Sequence, residues 1–332
     1  MNNIAIVGAT TNIGRKIVVL LAEYGYLADD VILLDDHEFE GKEISFGNST
    51  IEVECMQHFN FKDADIVIFC LDSNEVTRHY CEKAKEVGCL IIDTSSTYRY
   101  EKNIPLIIPE INGDILSDLH DNKIISCPSS ITIQTLLAVK SIKKMFGIKR
   151  LVISTYQAVS GNGKDAMDEL FDSTKKIYEN DIVKPRNFIK PISFNVIPQV
   201  GDCVSEYEYS DEYNVREDIN KIYNGEIKTS ITSVNVPVFN CHSETINVEC
   251  RNKVDLDLLR EVYEDSENIM LLDNVSEYVY ATPKDCSLDK SVFISRLRED
   301  STIEFGINMW VVSDNLLITA SNILGILKLI QK

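Results

Sequence analysis

The sequence predicts an α/β fold in two parts, a domain built on a parallel sheet and an α+β domain whose sheet is mainly antiparallel. Short β-branched runs alternate with amphipathic helical patterns over the first 128 residues, which is typical of a parallel sheet covered on both faces. Longer runs of alternating apolar and polar residues follow from about residue 150, as in a half-exposed antiparallel sheet. With 332 residues, 44% of them hydrophobic, the chain is long enough for two such domains.

The first predicted strand, residues 3–7, leads into a glycine-bearing turn, residues 8–14, and then a helix, residues 15–25. This order begins a Rossmann-like, dinucleotide-binding unit. Thr11 stands where a middle glycine would let the backbone approach a pyrophosphate closely, so the turn indicates the fold more strongly than it indicates a bound cofactor. The candidate cofactor contacts in the turn are Gly8, Thr10, Thr11, Asn12 and Ile13.

The second predicted strand, residues 30–34, ends in Asp35 and Asp36. An acidic residue at this distance from the turn can hydrogen bond a ribose hydroxyl and would repel a 2′-phosphate. The same pair is equally consistent with a solvated strand end. Alternation then continues through the first domain, with strands at 64–70, 89–93 and 123–126, a helix at 75–87 and a polar loop at 94–99.

Residues 126–134, SCPSSITIQ, predict the end of a buried strand, a tight turn at Pro128 and a hydroxyl-rich helix start. The amide groups and positive dipole end of such a helix favour a developing negative charge, which suits a nucleophile. In the structural alternative, Ser129 or Ser130 simply caps the helix.

The pattern of apolar and polar residues changes after Ser130. Predicted strands cover 150–158, 229–239, 244–250, 291–298 and 302–312, and predicted helices cover 165–178, 215–223, 254–264 and 315–330. Long antiparallel strands with one apolar face commonly form a subunit interface, so we expect a homodimer.

Composition excludes several classes of partner. A net charge of −19 and a pI near 4.7 oppose binding to nucleic acid or to an anionic membrane. We expect no signal peptide, because residues 1–7 lack a basic region followed by an apolar one, and no run of 18 apolar residues predicts a membrane span. Nine cysteines occur singly, which suggests buried thiols in a reducing, cytoplasmic setting. The five histidines lack metal-ligand spacing, so we expect no metal site.

Taken in order, the motifs resemble the aspartate-semialdehyde dehydrogenase family over nearly the whole chain. Residues 4–14 are similar to the opening VxVVGATGxVG of that family, residues 92–99 with 105–112 to IDxSSAFR…PLVVPEVN, and residues 154–161 to STYQAVSG. The segments 194–199, 236–238, 241–244 and 310–316 fall in the order of the family. The resemblance implies a nucleotide-binding domain at 1–128 plus 315–332 and a substrate-binding and dimerisation domain at 129–314.

The resemblance also implies a reaction, the reversible and NADP-dependent interconversion of aspartyl phosphate and aspartate semialdehyde in amino-acid biosynthesis. In the family a cysteine thiolate attacks the carbonyl, a histidine shuttles the proton, and a thioester makes the acyl group reactive toward hydride or phosphate. Matching residues here imply His242 as the histidine, Gln157 as the glutamine near the nucleophile and Arg99 as the phosphate-binding arginine. Glu212, with Asp211 as a near alternative, matches the glutamate that holds the substrate amine.

The departures from the family pattern lie at the positions that carry chemistry. Ser130 occupies the place of the nucleophilic cysteine, and Asn214 and Asn235 occupy the places of the active-site lysine and the substrate-carboxylate arginine. Asn235 has no charge with which to hold a carboxylate bidentately. Cofactor positions differ as well. Asp36 and Glu38 replace the serine and arginine that hold a 2′-phosphate, Asp72 and Ser73 replace a glycine pair, and Leu317 and Ile318 replace a basic pair just after Asn315.

Three hypotheses follow. The first is a divergent homologue with lost or strongly impaired activity. The second is an active NAD-linked semialdehyde or acyl-phosphate dehydrogenase with an altered substrate, and the third is a non-catalytic binding or regulatory subunit. Any cofactor is expected to be NADP or NAD, with NAD favoured. Cys127 is an alternative nucleophile, but it lies three residues upstream on the strand side of Pro128, which favours a buried strand-end thiol.

Overall fold

A computed structural model of the chain describes residues 3–118 and 123–331. The chain divides into two compact units. The N-terminal unit consists of Met1–Pro128 together with Thr319–Lys332, and the central unit consists of Ser129–Ile318. No helix within the described ranges is both long and apolar enough to cross a bilayer.

The N-terminal unit is built on a seven-stranded sheet in which every pair is parallel except the hairpin at one edge. Its elements are β1 Ile4–Val7, α1 Asn12–Glu23, β2 Val31–Asp35, β3 Glu43–Phe46, β4 Ser49–Cys55, β5 Ile66–Phe69, α2 Asn74–Glu86, β6 Leu90–Asp93, α3 Pro109–Asn112 and β7 Ile124–Ser126. The strand order is β3-β4-β2-β1-β5-β6-β7, which confirms the Rossmann-like prediction. The hairpin of β3 and β4 was not predicted, because its outer positions are charged and exposed.

The turn after β1 shows why two of its glycines are needed. Gly8 has φ +86°, and a Cβ there would lie 2.8 Å from the carbonyl oxygen of Cys70. A Cβ on Gly14 would lie 2.2 Å from the carbonyl oxygen of Gly8, so this glycine allows α1 to pack closely on the strand. The helix begins at Asn12, earlier than predicted, because the Thr11 hydroxyl caps it by accepting a hydrogen bond from Gly14 N at 3.1 Å.

The central unit is built on a six-stranded mixed sheet in the order β11-β8-β12-β17-β16-β13. Its elements are α4 Ser130–Phe146, β8 Ile148–Gln157, α5 Lys164–Tyr178, β9 Cys203–Ser205, β10 Glu208–Tyr209, α6 Ser210–Ile222, β11 Lys228–Asn235, β12 His242–Cys250, α7 Leu256–Glu264, β13 Ile269–Leu271, β14 Asp273–Asn274, β15 Val279–Tyr280, α8 Pro283–Cys286, β16 Val292–Asp300, β17 Gly306–Ser313 and the start of α9 Asn315–Ile330.

The four central strands β8, β12, β17 and β16 pair antiparallel, and each edge adds one parallel pair, so the prediction of a mainly antiparallel sheet is confirmed. Along β12 the side chains at even positions are buried and those at odd positions from Thr245 onward are at least partly exposed. The helix α6 begins five residues earlier than predicted, because Glu212 closes a capping box on the backbone N–H of Tyr209.

Candidate active site

The N-terminal end of α4 is anchored by a buried carboxylate of α6. Ser129 is the N-cap, and its hydroxyl accepts a hydrogen bond from Thr132 N at 3.1 Å. Asp218, which is fully buried, accepts from Ser129 N at 3.1 Å and from the Thr132 hydroxyl at 2.9 Å. The capping interpretation is therefore correct for Ser129. The positive end of this helix is therefore already partly neutralised by the carboxylate of Asp218, and it stabilises a further negative charge less.

Ser130, at the predicted nucleophile position, is the first residue of α4 and is half-buried. Within the described central unit, no group forms a hydrogen bond with its hydroxyl. A serine nucleophile needs a base within about 3 Å that accepts its proton. Ser130 has no such base in this unit.

His242, at the predicted proton-shuttle position, is the first residue of β12 and is buried. Its Nδ1 accepts a hydrogen bond from the backbone N–H of Ala158 at 3.0 Å, so the neutral ring carries its proton on Nε2. Burial lowers the pKa of the imidazole to about 3. The ring is therefore neutral near pH 7, and it can donate from Nε2 but has no free nitrogen that accepts a proton.

Gln157 lies at the end of β8 in a buried polar network. Its Nε2 donates to Asp211 Oδ2 at 2.7 Å and to the Thr155 hydroxyl at 3.2 Å. The same oxygen of Asp211 accepts from the Ser233 hydroxyl at 2.6 Å. The parallel register of β8 and β11 sets Thr155 beside Ser233, which explains why these groups meet.

The two predicted substrate-binding residues of the central unit are both engaged by the chain itself. Glu212 accepts from Tyr209 N at 3.2 Å with one oxygen and from Ser233 N at 3.1 Å with the other. Asn235 is buried, donates to the Gln199 carbonyl at 2.7 Å and accepts from Asn162 at 3.1 Å. The carboxylate and the amide therefore hold helix and strand ends together.

Glu244 was missed by sequence reasoning although it lies two residues beyond His242 on the same face of β12. It is fully buried and accepts from the Thr135 hydroxyl at 2.9 Å with one oxygen, while its Oε1 has no partner among the described residues. Burial chiefly, with a smaller contribution from the charge of Asp211, raises the pKa of this carboxyl to about 8. The two-residue spacing in the strand was the available signal.

Asn315, at a predicted cofactor position, joins the start of α9 to the entry of β12. Its Oδ1 accepts from the Ser160 hydroxyl at 3.1 Å and from Cys241 N at 3.2 Å. Cys241 holds the left-handed conformation, φ 69°, which disfavours residues with a side chain. Gly161 completes this corner, since a Cβ there would lie 3.1 Å from Cε1 and Nε2 of His242.

In the N-terminal unit, the predicted cofactor turn is held by Asp35 at the end of β2 and by a hydroxyl of the turn itself. Asp35 is buried, and its Oδ2 accepts from Thr10 N at 2.8 Å. The Thr11 hydroxyl donates to the Gly8 carbonyl at 2.7 Å, and Asn12 and Ile13 form the first positions of α1. The Thr10 amide is therefore already satisfied by a carboxylate of the same unit.

Asp36 is exposed and accepts from the Gln57 amide at 2.7 Å. Glu38 lies on the single 3-10 turn His37–Phe39 that follows. Both carboxylates lie just beyond β2, at the strand end where the sequence predicted a contact with a nucleotide ribose.

Arg99, also in the N-terminal unit, is buried, and its Nη2 donates to the carbonyls of Thr94 and Ser95 at 3.4 Å.

Cys127 is fully buried in the same unit, and its backbone N–H continues the strand by donating to the Asp93 carbonyl at 2.8 Å. Burial, followed by the charge of Asp93, raises the pKa of the Cys127 thiol to about 12. A neutral, enclosed thiol is inert, which disfavours Cys127 as the nucleophile.

Comparisons with known proteins agree with this architecture. Residues 3–119 match the NAD-binding domain model of semialdehyde dehydrogenases, and residues 139–318 match the dimerisation domain model. The chain is 38% identical to the aspartate-semialdehyde dehydrogenase of Rickettsia conorii over 317 residues, which is 95% of this chain and 93% of that protein. The chain belongs to the aspartate-semialdehyde dehydrogenase family.

Other members of the aspartate-semialdehyde dehydrogenase family show the same extent of similarity. The enzyme of Aquifex aeolicus is 35% identical over 94% of this chain and 93% of its own length. Among solved structures, aspartate semialdehyde dehydrogenase II of Vibrio cholerae, complexed with ASA, superposes with a TM-score of 0.95 at 32% identity and covers 100% of this chain and 98% of that one. The family likeness therefore extends through both units.

Proposed function

We propose that this chain is an aspartate-semialdehyde dehydrogenase homologue in which the family reaction is lost or strongly impaired. The carrying observation is the combined state of Ser130 and His242, each taken by itself. A hydroxyl replaces the thiol at residue 130, no base of the central unit receives its proton, and the only nitrogen of His242 that lacks a proton is taken by Ala158 N–H. A family member that cannot form the thioester loses the step that activates the acyl group.

The substrate end supports the same proposal. Asn214 and Asn235 leave the central unit without the lysine and arginine that the family resemblance expects at these positions. Both oxygens of Glu212 already accept backbone N–H groups, so a substrate amine would have to displace them or share them. A substrate with two acidic groups would meet the amides of Asn214 and Asn235 instead of two cations. Amides bind carboxylates and phosphates more weakly than cations do.

For the nucleotide, the proposal assigns residues 1–128 and 315–332 as the binding domain and favours NAD over NADP. A nicotinamide cofactor supplies the hydride when bound. Gly8 and Gly14 keep the turn and the close packing of α1, which fits such a group, whereas Asp35 on the Thr10 amide weakens the phosphate site. Asp36 and Glu38 contribute the preference for an unphosphorylated ribose.

The proposal assigns residues 129–314 to substrate binding and to homodimer formation through the exposed face of the six-stranded sheet. A match to a dimerisation domain model supports this assignment. So does a cavity of about 480 Å³ on that face. Its lining combines strand residues such as Thr245, Asn247 and Trp310 with Arg296 and Arg298, and a facing protomer would cover these side chains.

The decisive assay incubates the purified chain with aspartate semialdehyde, phosphate and either NAD or NADP, beside an active homologue. No phosphate-dependent cofactor reduction is expected above the rate without protein. Removal of a nucleophile costs on the order of a millionfold in a well-studied protease, so the difference is large. Phosphate-dependent reduction of NAD would favour the alternative of an active, NAD-linked enzyme. The retained His242 and Gln157 support that alternative.

A further inference from the structure

Three metal-binding side chains meet at the carboxyl end of β2 and β4, beside Asp36 and Glu38. One ring nitrogen of His37, one carboxylate oxygen of Glu40 and the Sγ of Cys55 all lie within 4.8 Å of one another. His37 Nδ1 and Glu40 Oε2 are 2.8 Å apart, and the Cys55 thiol donates to Gln57 Oε1 at 2.8 Å. Cys55 lies 15 positions after Glu40, so sequence spacing alone does not reveal the cluster.

The donor set is that of a zinc-class ion. Imidazole nitrogen, thiolate sulfur and carboxylate oxygen bind Zn²⁺ at about 2.0–2.3 Å, which places tetrahedral donors about 3.3–3.8 Å apart. The widest separation therefore has to shorten by roughly 1–1.5 Å, while His37 and Glu40 have to separate by about 0.5 Å or more. A thiolate and a carboxylate together carry two negative charges, which balance a divalent cation. An overall charge of −19 further favours cation uptake.

The backbone holds this arrangement in place. Cys55 is the last residue of β4 and is in register with Asp35 of β2, so its position is set by the central part of the sheet. Glu40 closes the 3-10 turn by donating its N–H to the His37 carbonyl at 3.2 Å. The thiol is buried while the imidazole and the carboxylate are exposed, so an ion has a path from solvent to all three groups.

We propose that His37, Glu40 and Cys55 form a binding site for a divalent transition-metal ion of the zinc class. The fourth ligand is the side-chain amide oxygen of Gln57 or a water. Metal binding releases the thiol proton and fixes the turn that carries Glu38. The competing explanation is a plain His37–Glu40 ion pair beside a buried thiol, and it predicts no thiolate–metal bond.

The test uses Co²⁺ as a spectroscopic probe on the reduced full-length chain, followed by competition with Zn²⁺. We expect one equivalent of Co²⁺ to produce the near-ultraviolet charge-transfer band of a cobalt thiolate, and Zn²⁺ to abolish it. Cys55→Ser removes the band, and His37→Gln, at an exposed position that tolerates change, weakens binding by at least about tenfold. Matched controls are Cys203→Ser and His58→Gln, both exposed and outside the cluster.

Two results would overturn the proposal. The first is the absence of a charge-transfer band in the wild-type protein at saturating Co²⁺. The second is a band that survives in Cys55→Ser or disappears in Cys203→Ser. If Cys55→Ser fails to fold, as near-ultraviolet circular dichroism would show, the comparison of His37→Gln with His58→Gln decides the matter alone, and equal Co²⁺ affinities of that pair count against the site.

Discussion

The buried carboxyl of Glu244 makes the stability of the folded chain depend on pH. Its pKa is about 8 in the folded chain against an ordinary value of 4.5, because burial penalises the charged form. The folded state therefore holds a proton that the unfolded chain releases between these two pH values. Stability falls by up to about 1.4 kcal/mol for each pH unit of this window as the pH rises. His242 acts in the opposite sense, since its lowered pKa makes stability fall as the pH drops below about 6.5.

Substitution of Glu244 with glutamine is expected to remove the slope that this residue contributes. The difference in free energy of unfolding between Glu244→Gln and wild type should grow in favour of the variant from pH 5 to pH 8, by a few kcal/mol. Urea denaturation at four pH values measures it, and Glu277→Gln at an exposed position is the control. A constant difference across the range would show that Glu244 does not titrate there.

The residue at 130 permits a direct test of the nucleophile position. Ser130→Cys places a thiol at the N-terminus of α4, and a half-buried thiol there should react with a small alkylating reagent faster than Cys127 in the wild-type chain. We still expect no turnover of aspartate semialdehyde, because Asn214 and Asn235 are unchanged. Mass spectrometry of the alkylated peptide reports the first outcome and the coupled cofactor assay the second. Full turnover would show that the serine is the sole defect.

Among the elements, the join between α4 and α6 depends on one carboxylate and two donors. Asp218 connects Ser129 N and the Thr132 hydroxyl, so the start of one helix is fixed by the middle of another. A buried carboxylate that loses such partners retains its desolvation penalty, which makes single changes costly.

Double-mutant analysis of Asp218→Ala and Thr132→Val should show this coupling. Each single change is expected to lower the free energy of unfolding by about 1–3 kcal/mol. The double variant should lose less than their sum, with a coupling of about 0.5–3 kcal/mol. Chemical denaturation measures all four proteins, and Asp257→Ala at an exposed helical position should cost little. Strict additivity would contradict the described contact.

The proposed preference for NAD over NADP depends on the turn after β2. Replacing Asp36 with serine and Glu38 with arginine removes two carboxylates and adds a guanidinium where a 2′-phosphate would lie. We expect NADPH affinity, measured by fluorescence titration, to rise at least about tenfold relative to NADH affinity. Glu43→Arg, at an exposed position of β3, supplies a comparable change of charge outside the turn and should not alter the ratio.

For the whole molecule, the proposed homodimer is the property most open to measurement. Thr245 is exposed on β12 and pairs in register with Trp310 of β17, at the middle of the cavity-bearing face. We expect the wild-type chain to sediment as a dimer and Thr245→Arg as a monomer, because an unpaired guanidinium buried in an interface is costly. Lys140→Glu, on the exposed side of α4, should remain dimeric. A wild-type monomer at micromolar concentration would contradict the interface.

The family and the fold class could be read from the sequence, because each depends on short contiguous motifs, whereas the assignment of replaced catalytic residues stays a prediction. The strand-turn-helix at residues 3–25 is of this kind. Element starts were less predictable. The helix α6 begins at Ser210 because a capping box reaches back to Tyr209, a contact that periodicity does not encode.

The partners of the site residues were decided only by tertiary structure. Sequence placed Asp35 at a strand end, but the fold turns its carboxylate onto the Thr10 amide, 25 positions away. It pairs the ring of His242 with Ala158 N, 84 positions away, and it brings His37 and Glu40 to Cys55 where no metal site was expected. Strand register and burial determine these distances and pKa values, and both arise from residues far apart in the chain.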